Sequence, residues 1–315
     1  MFENCKKSKL IIEQHFHGAF GVDFLNCNEQ EILDLSKKLI SHGIGGFFAT
    51  LATDTLDNIK NQIQVIKSAS QKQTSEMAKI LGIHIEGIFL NPEKKGIHDA
   101  SQFLELSVEN FQKFEDDFIK IITLAPELDK DFRLIKYLKT KGIKVQAGHC
   151  TGGDLSECDG VTHLFNAMSP VSHRSKSTAL SALVNDDVYT EIIADGVHVN
   201  DDAIKLLLKS KPSDRIILIS DCLPITNSDK KEMQFCNKTI YYDGEKATDK
   251  AGTLAGSTTL LDGIIKRISD SGIDAFKFIE NTYKYHDIDL DGFVWWNESN
   301  EIVAVEKNKN ILYKK

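Results

Sequence analysis

The sequence predicts an α/β protein organised as a (β/α)8 barrel of the TIM type, with a reduced or incomplete small β-domain attached. Short apolar runs alternate with amphipathic helical segments along most of the 315 residues, and eight such runs precede Cys222. Most of them are apolar throughout, the pattern of parallel strands covered on both faces. An open doubly wound sheet usually has fewer strands and a glycine-rich phosphate loop after the first. Here Gly18-Ala19-Phe20-Gly21 follows the first run with no third glycine at the required spacing, and histidines occupy the turn.

The first run, 10–15, leads into His15-Phe16-His17. A strand alternates its faces with period two, so both imidazoles are expected to project from one side where the strand ends. Segment 29–41 carries Ile32, Leu33, Leu35, Leu39 and Ile40 at helical spacing, with Gly43 where a helix would stop. Strand 45–51 (GGFFATL) and helix 57–69 follow, then strand 78–87 (AKILGIHIEG) and a loop through Asn91-Pro92. A polar stretch, 101–114, is expected to be helical, before strand 118–125 and helix 130–141. Strands 143–149 and 160–165, helix 178–184, strand 189–195 and helix 201–209 lead to the last strong strand, 215–221 (RIILISD).

Residues 1–229 are thus the main part of the barrel. Residues 230–256 read as a β-like insertion ending in Gly252-Thr253-Leu254-Ala255-Gly256, and 257–290 as the closing helices, 260–269 and 274–284. The tail, 291–315, is β-rich at 292–296 and 302–305 and reads as a remnant of the small β-domain, with Trp295 and Trp296 as packing residues.

A formal net charge of -8 argues against a chain whose role is to coat nucleic acid or an anionic membrane. Six cysteines without regular spacing read as free thiols of a reducing compartment. The apolar stretch after Lys9 is too short for a signal-peptide core, and no run reaches membrane-spanning length. A cytoplasmic location is expected.

Barrel enzymes carry their catalytic groups at the C-terminal ends of the strands. The predicted ends carry His15 and His17 on the first strand, Glu86 on the third, His149 on the fifth, His163 on the sixth and Asp221 on the eighth. A carboxylate at the end of an apolar strand needs a partner or a metal. His84 falls mid-strand and reads as a core or supporting histidine. Imidazoles and carboxylates without thiolate suit a catalytic divalent ion, Zn²⁺ first and Fe²⁺, Mn²⁺ or Ni²⁺ as alternatives. Such an ion lowers the pKa of water and polarises a carbonyl, and hydrolysis is the natural reaction.

At these residues the chain resembles a known family. HFHGAFGVDF (15–24), GIHIEGIFLNPEKKGIHD (82–99), TLAPE (123–127), AGHC (147–150), GVTHLFNAMSP (160–170), IIADGVHV (192–199), ISD (219–221) and GTLAGS (252–257) follow, in order and spacing, the motifs of N-acetylglucosamine-6-phosphate deacetylases of the amidohydrolase superfamily. The resemblance implies that Glu86, His149 and His163 hold one metal, that His15 and His17 hold a second, and that Asp221 is the catalytic aspartate. It further implies that Glu86 bridges while Asp221 shares the first site, and that His98 orients and polarises the substrate carbonyl. Asn166 and Ala167 match positions contacting the sugar phosphate, and Arg174 and His198 match the phosphate-binding pair, the arginine sometimes reaching across a dimer. Leu254 lies in the segment that closes over the substrate. A homodimer with one or two divalent ions per chain, cleaving N-acetylglucosamine 6-phosphate to glucosamine 6-phosphate and acetate, is what the resemblance implies. A related amidohydrolase acting on another N-acyl sugar or amide, and a non-catalytic sugar-phosphate-binding protein, are the alternatives.

Three departures from the family pattern set further expectations. The chain starts almost at its first barrel strand, so the small β-sandwich is expected to be incomplete or absent. His173-Arg174 is followed by Ser175-Lys176-Ser177 rather than a Glu-Pro-Gly-like turn, so the loop is expected to run differently. Cys222-Leu223-Pro224-Ile225-Thr226 lacks the small residues usual after the aspartate, which alters the pocket wall.

Overall fold

Eight parallel strands lie side by side in chain order, Ile11–Glu13, Ile44–Leu51, Lys79–Glu86, Ile119–Leu124, Lys144–Ala147, Gly160–Val161, Tyr189–Ile193 and Ile216–Ile219, in a computed structural model that describes residues 4–315. Each pairs with its successor, as alternating strand and helix require. The eighth and first strands are joined at the rim, where Asp221 N–H donates to His15 C=O at 2.8 Å and His17 N–H to Cys222 C=O at 2.9 Å. Glu13 reinforces the seam by accepting from the Ser220 and His15 amides, both at 3.1 Å. The barrel therefore closes through the residues that carry the chemistry.

The strands end earlier than the hydrophobic runs suggest. The run 160–165 is paired only over Gly160–Val161, and 143–149 only over Lys144–Ala147. Beyond those ends His149, His163 and Asp221 take left-handed backbone, with φ of 48°, 30° and 49°. L residues pay roughly 1–3 kcal/mol for such conformations, which concentrate at functional sites. Here they turn three strand ends inward over the barrel mouth.

Most predicted helices stand. Glu29–Ile40 starts in a capping box, Asn28 accepting from Glu31 N–H while Glu31 accepts from Asn28 N–H. The stretch 101–114 is corrected: it is a 3-10 turn, Ala100–Gln102, an extended residue, Phe103, and a short helix, Val108–Gln112. Asp99 and Ser107 each cap a separate start, so the polar residues that suggested one helix begin two. The segment 130–141 is likewise split, because Asp131 and Phe132 are left-handed and the helix is Arg133–Thr140.

Residues 230–256 form a four-stranded antiparallel sheet, Glu232–Phe235, Lys238–Tyr242, Ala247–Asp249 and Leu254–Gly256. A small β-domain is present: Gly292–Trp296, Ile302–Lys307 and Asn310–Lys314 join Lys6–Lys9 in one antiparallel sheet. The expectation that it could be absent is corrected. The Lys6–Lys9 edge strand is too polar for a periodicity search, and its lysines lie over aromatic rings, Lys7 Nζ 3.4 Å from the Phe293 centroid. Trp296, 1% exposed, packs edge-on to Phe276 of the segment before the last helix, and its Nε1 donates to Ser8 Oγ at 2.9 Å, tying two strands of this sheet together. Among the described residues no helix is long and apolar enough to cross a membrane.

Candidate metal centre

Glu86 ends the third barrel strand and is 2% exposed. Its Oε1 lies 2.9 Å from His163 Nε2 and 3.2 Å from His149 Nε2, and these two nitrogens are 3.1 Å apart. Its Oε2 lies 3.0 Å from His17 Nε2 and 3.2 Å from His15 Nε2. One carboxylate thus faces two pairs of imidazoles, one pair per oxygen. Asp221 Oδ1 stands 3.3 Å from His17 Nε2 and 3.4 Å from His15 Nε2. That placement corrects the expectation that Asp221 shares a site with His149 and His163: the eighth strand closes against the first, which brings Asp221 to the His15–His17 side.

The donor set fits divalent cations. His149 Nδ1 lies 2.8 Å from the Lys94 carbonyl, which only accepts, so Nδ1 carries a proton and Nε2 is the nitrogen turned to Glu86. His15 Nε2 is buried with no hydrogen-bond partner among the described residues. Burial opposes charge on every group here, yet the Glu86, Glu191 and Asp221 carboxylates hold His15 well above its usual range, and Asp221 and Glu86 raise His17 to about 9. Burial would raise Glu86, but the charge of His15 and the contacts from His149 and His163 outweigh it and keep the carboxyl well below its ordinary range. Protons on imidazoles are balancing buried carboxylates, which is the task a metal ion performs with the same lone pairs.

His98 stands beside this cluster, with Nε2 3.8 Å from Glu86 Oε2. Burial, joined by the His149 charge, keeps the ring neutral, well below its usual range. Thr53 Oγ1, which accepts from Ile88 N–H, lies 2.9 Å from His98 Nδ1, and Thr53 N–H approaches the same nitrogen at 3.4 Å. Nδ1 is therefore the acceptor, and Nε2–H is the donor offered to the pocket.

The cluster forms the floor of a cavity of about 210 Å³ whose walls include Asn166, Ala167, His198 and Leu254. His198 Nδ1 is 2.8 Å from Asp195 Oδ2; burial opposes the charge, but the hydrogen bond and charge of Asp195 raise His198 above its ordinary value. Arg174 is not in this wall, a correction to the expected set: it is exposed, and its Nε donates to the neighbouring His173 Nε2 at 3.0 Å. Ser172 Oγ accepts from the Arg174 and Ser175 amides, turning the loop outward.

Phe235 and Thr253 also line the cavity and were not among the expected residues. Phe235 packs edge-on to the His17 ring at 5.1 Å. It precedes Cys236 and Asn237, both left-handed, which make the tight turn after Glu232–Phe235. Asn237 Nδ2 donates to Asp99 Oδ2 at 2.9 Å, tying the hairpin tip to the loop of His98. The left-handed Asn237 was the available signal for a turn, but its position over the barrel mouth is a tertiary fact. A separate cavity of about 240 Å³ near Asp23, Cys27 and Lys230 gathers no such ligand set among the described residues.

No family model matches the chain. An N-acetylglucosamine-6-phosphate deacetylase of Bacillus subtilis (strain 168) is 33% identical over 259 residues, 78% of this chain and 65% of that protein. The Rattus norvegicus N-acetylglucosamine-6-phosphate deacetylase is 30% identical over 282 residues, 81% of this chain and 67% of that protein. The chain belongs to the N-acetylglucosamine-6-phosphate deacetylase family. It spans about 65% of the length of the Bacillus subtilis deacetylase. The deacetylase fold is shared more widely: a variant from Mycobacterium smegmatis, in complex with N-acetyl-D-glucosamine-6-phosphate, superposes with a TM-score of 0.88 at 20% identity, covering 98% of this chain and 87% of that one.

Proposed function

We propose that the chain hydrolyses the acetamide of N-acetylglucosamine 6-phosphate, releasing acetate and glucosamine 6-phosphate. The observation that carries this reading is Glu86 shared between two imidazole pairs, with Asp221 and the Nε2–H of His98 at the same cavity floor. Glu86, His149 and His163 would hold one divalent ion, and His15, His17, Asp221 and Glu86 a second. When bound, such an ion lowers the pKa of water and polarises the amide carbonyl.

The chain's own groups divide the remaining work. Asp221 accepts the proton of the attacking water and delivers it to the departing amine. His98 donates from Nε2 to the carbonyl oxygen as charge develops there. His198, whose charged form Asp195 favours, receives the 6-phosphate, while Asn166, Ala167 and Leu254 bound the sugar. Phe235 covers His17 and excludes water from the floor. The Mycobacterium smegmatis complex with the same sugar phosphate supports the substrate class.

Zinc is the ion we assign, with iron, manganese or nickel as substitutes, in a cytoplasmic homodimer. In such a dimer Arg174, on an exposed loop with Val171, serves a neighbouring copy's phosphate rather than its own. Initial rates on N-acetylglucosamine 6-phosphate, its galactosamine epimer and unphosphorylated N-acetylglucosamine test the reading. Preference for the first by an order of magnitude over the unphosphorylated sugar is expected; equal rates on both sugars would move the assignment to another N-acyl sugar.

A further inference from the structure

Behind the cluster lies a buried carboxylate for which the proposed chemistry has no use. Glu191, on the seventh barrel strand, Tyr189–Ile193, is 1% exposed. Its Oε2 lies 3.0 Å from His15 Nδ1 and 3.3 Å from the backbone nitrogen of His163, which donates to it. Its Oε1 accepts from Gln14 Nε2 at 2.5 Å. Gln14 is oriented in turn by His286, whose Nε2 lies 3.0 Å from Gln14 Oε1. Among the described residues His15 is the ion-pair partner of Glu191, and no lysine or arginine neutralises it.

Burying a carboxylate is expensive even beside an imidazole, and no lysine or arginine helps here, so its retention in this strand calls for a reason. The geometry supplies one. An ionised carboxylate only accepts, so His15 Nδ1 must carry the proton. Nε2 is then the nitrogen that faces Glu86 Oε2 and Asp221 Oδ1, it lacks a hydrogen-bond partner among the described residues, and once a cation displaces its proton it offers the lone pair. A carboxylate on the far nitrogen of a ligating imidazole fixes the ring and makes it a stronger donor. The His163 amide on the same oxygen places Glu191 behind one member of each imidazole pair.

We propose that Glu191 is a positioning residue that locks His15 in its Nδ1–H tautomer and strengthens the His15–His17–Glu86–Asp221 cluster, so that the chain holds two divalent ions rather than one. This rests on the metal-dependent reading above. The second ion depends on Glu191; the ion at Glu86, His149 and His163 does not, because Glu191 touches only the backbone of His163.

The test is a chelator competition with Zn²⁺ and Co²⁺ on the wild-type chain, Glu191→Gln, His15→Ala and the double variant. The wild type takes up two ions. Glu191→Gln weakens one of them roughly 10–100-fold, the range for losing the carboxylate behind a ligand, and leaves the other within about threefold. In the His15→Ala background the same substitution changes nothing further, whereas a merely structural role would cost as much with His15 gone. Two ions of unchanged affinity in Glu191→Gln, equal weakening of both, or the same loss in both backgrounds would overturn the proposal. No ion in the wild type would instead contradict the metal-dependent reading itself. A measurement that needs no variant is the ring ¹H–¹⁵N spectrum of zinc-loaded, ¹⁵N-histidine-labelled protein. A protonated Nδ1 on His15 is expected, and a protonated Nε2 overturns the tautomer lock.

Discussion

Thr53 Oγ1 lies 2.9 Å from His98 Nδ1 and accepts at the same time from the Ile88 amide, so its own hydrogen points at the ring. His98 is thereby left with Nε2–H facing the cavity. Thr53→Val removes the hydroxyl donor while the longer contact from the Thr53 amide remains. We expect kcat to fall roughly tenfold with KM nearly unchanged, short of the about 10²–10³-fold loss when an oxyanion donor is deleted outright, as in His98→Ala. Thr53→Ser should restore the rate, and steady-state kinetics on the three variants checks the order.

Asp195 and His198 set a pH dependence. The raised pKa of His198 means that its cationic form persists above the usual range, and the attraction for a phosphate is lost as pH rises through that raised value. KM for the phosphorylated sugar should therefore climb on the alkaline side. Asp195→Asn removes the support, moves the climb to lower pH and raises KM about tenfold at pH 8, with kcat little changed. The unphosphorylated sugar should show no such shift, and KM against pH for both sugars is the measurement.

Ion uptake should release protons. In the ion-free chain His17 holds its proton up to about pH 9, because Asp221 and Glu86 outweigh the cost of burial. A cation must displace that proton, and the one that His15 also holds above its usual range, so the apparent affinity at the His15–His17 cluster rises with pH. Calorimetric titrations in buffers of different ionisation enthalpy at pH 6.5 and 8.5 count the protons; uptake without release at the lower pH would contradict the assignment.

Phe235 closes one wall over His17. Truncation to alanine removes an apolar surface worth about 1.5–3 kcal/mol when fully buried and opens the floor to water. KM should rise roughly tenfold and kcat should fall, and Tm should drop by several degrees because Phe235 is buried in the apolar core that the barrel shares. Thermal unfolding and kinetics on the same preparation separate the two effects.

The site was legible from the sequence where chemistry stands out against an apolar run. Glu86 and Asp221 end strands of Ile and Leu, and His15, His17, His149 and His163 close other strands, so residue type and strand end together indicated the rim. Their grouping was not legible, because which strand closes on which side is decided by the seam between the eighth strand and the first. That seam moved Asp221 to the His15–His17 pair. That Arg174 lies outside its own cavity wall was not legible, since the Ser172 hydroxyl shapes its loop. Phe235 and Glu191 were missed for the opposite reasons: one sits in an insertion of weak periodicity, the other inside a strand whose apolar neighbours masked it. Lys6–Lys9 escaped because an edge strand of lysines has no apolar face to detect.

Acetate release from N-acetylglucosamine 6-phosphate, followed with elemental analysis as zinc is returned to chelator-treated protein, tests the central claim most directly. The Glu86-centred reading expects negligible acetate from the stripped chain and recovery of the rate as the ion is taken up. It also expects Asp221→Asn to retain at least the ion at Glu86, His149 and His163 while turning over slower by about 10³-fold or more. Acetate release at the same rate from stripped protein, or none from fully loaded protein, would contradict it.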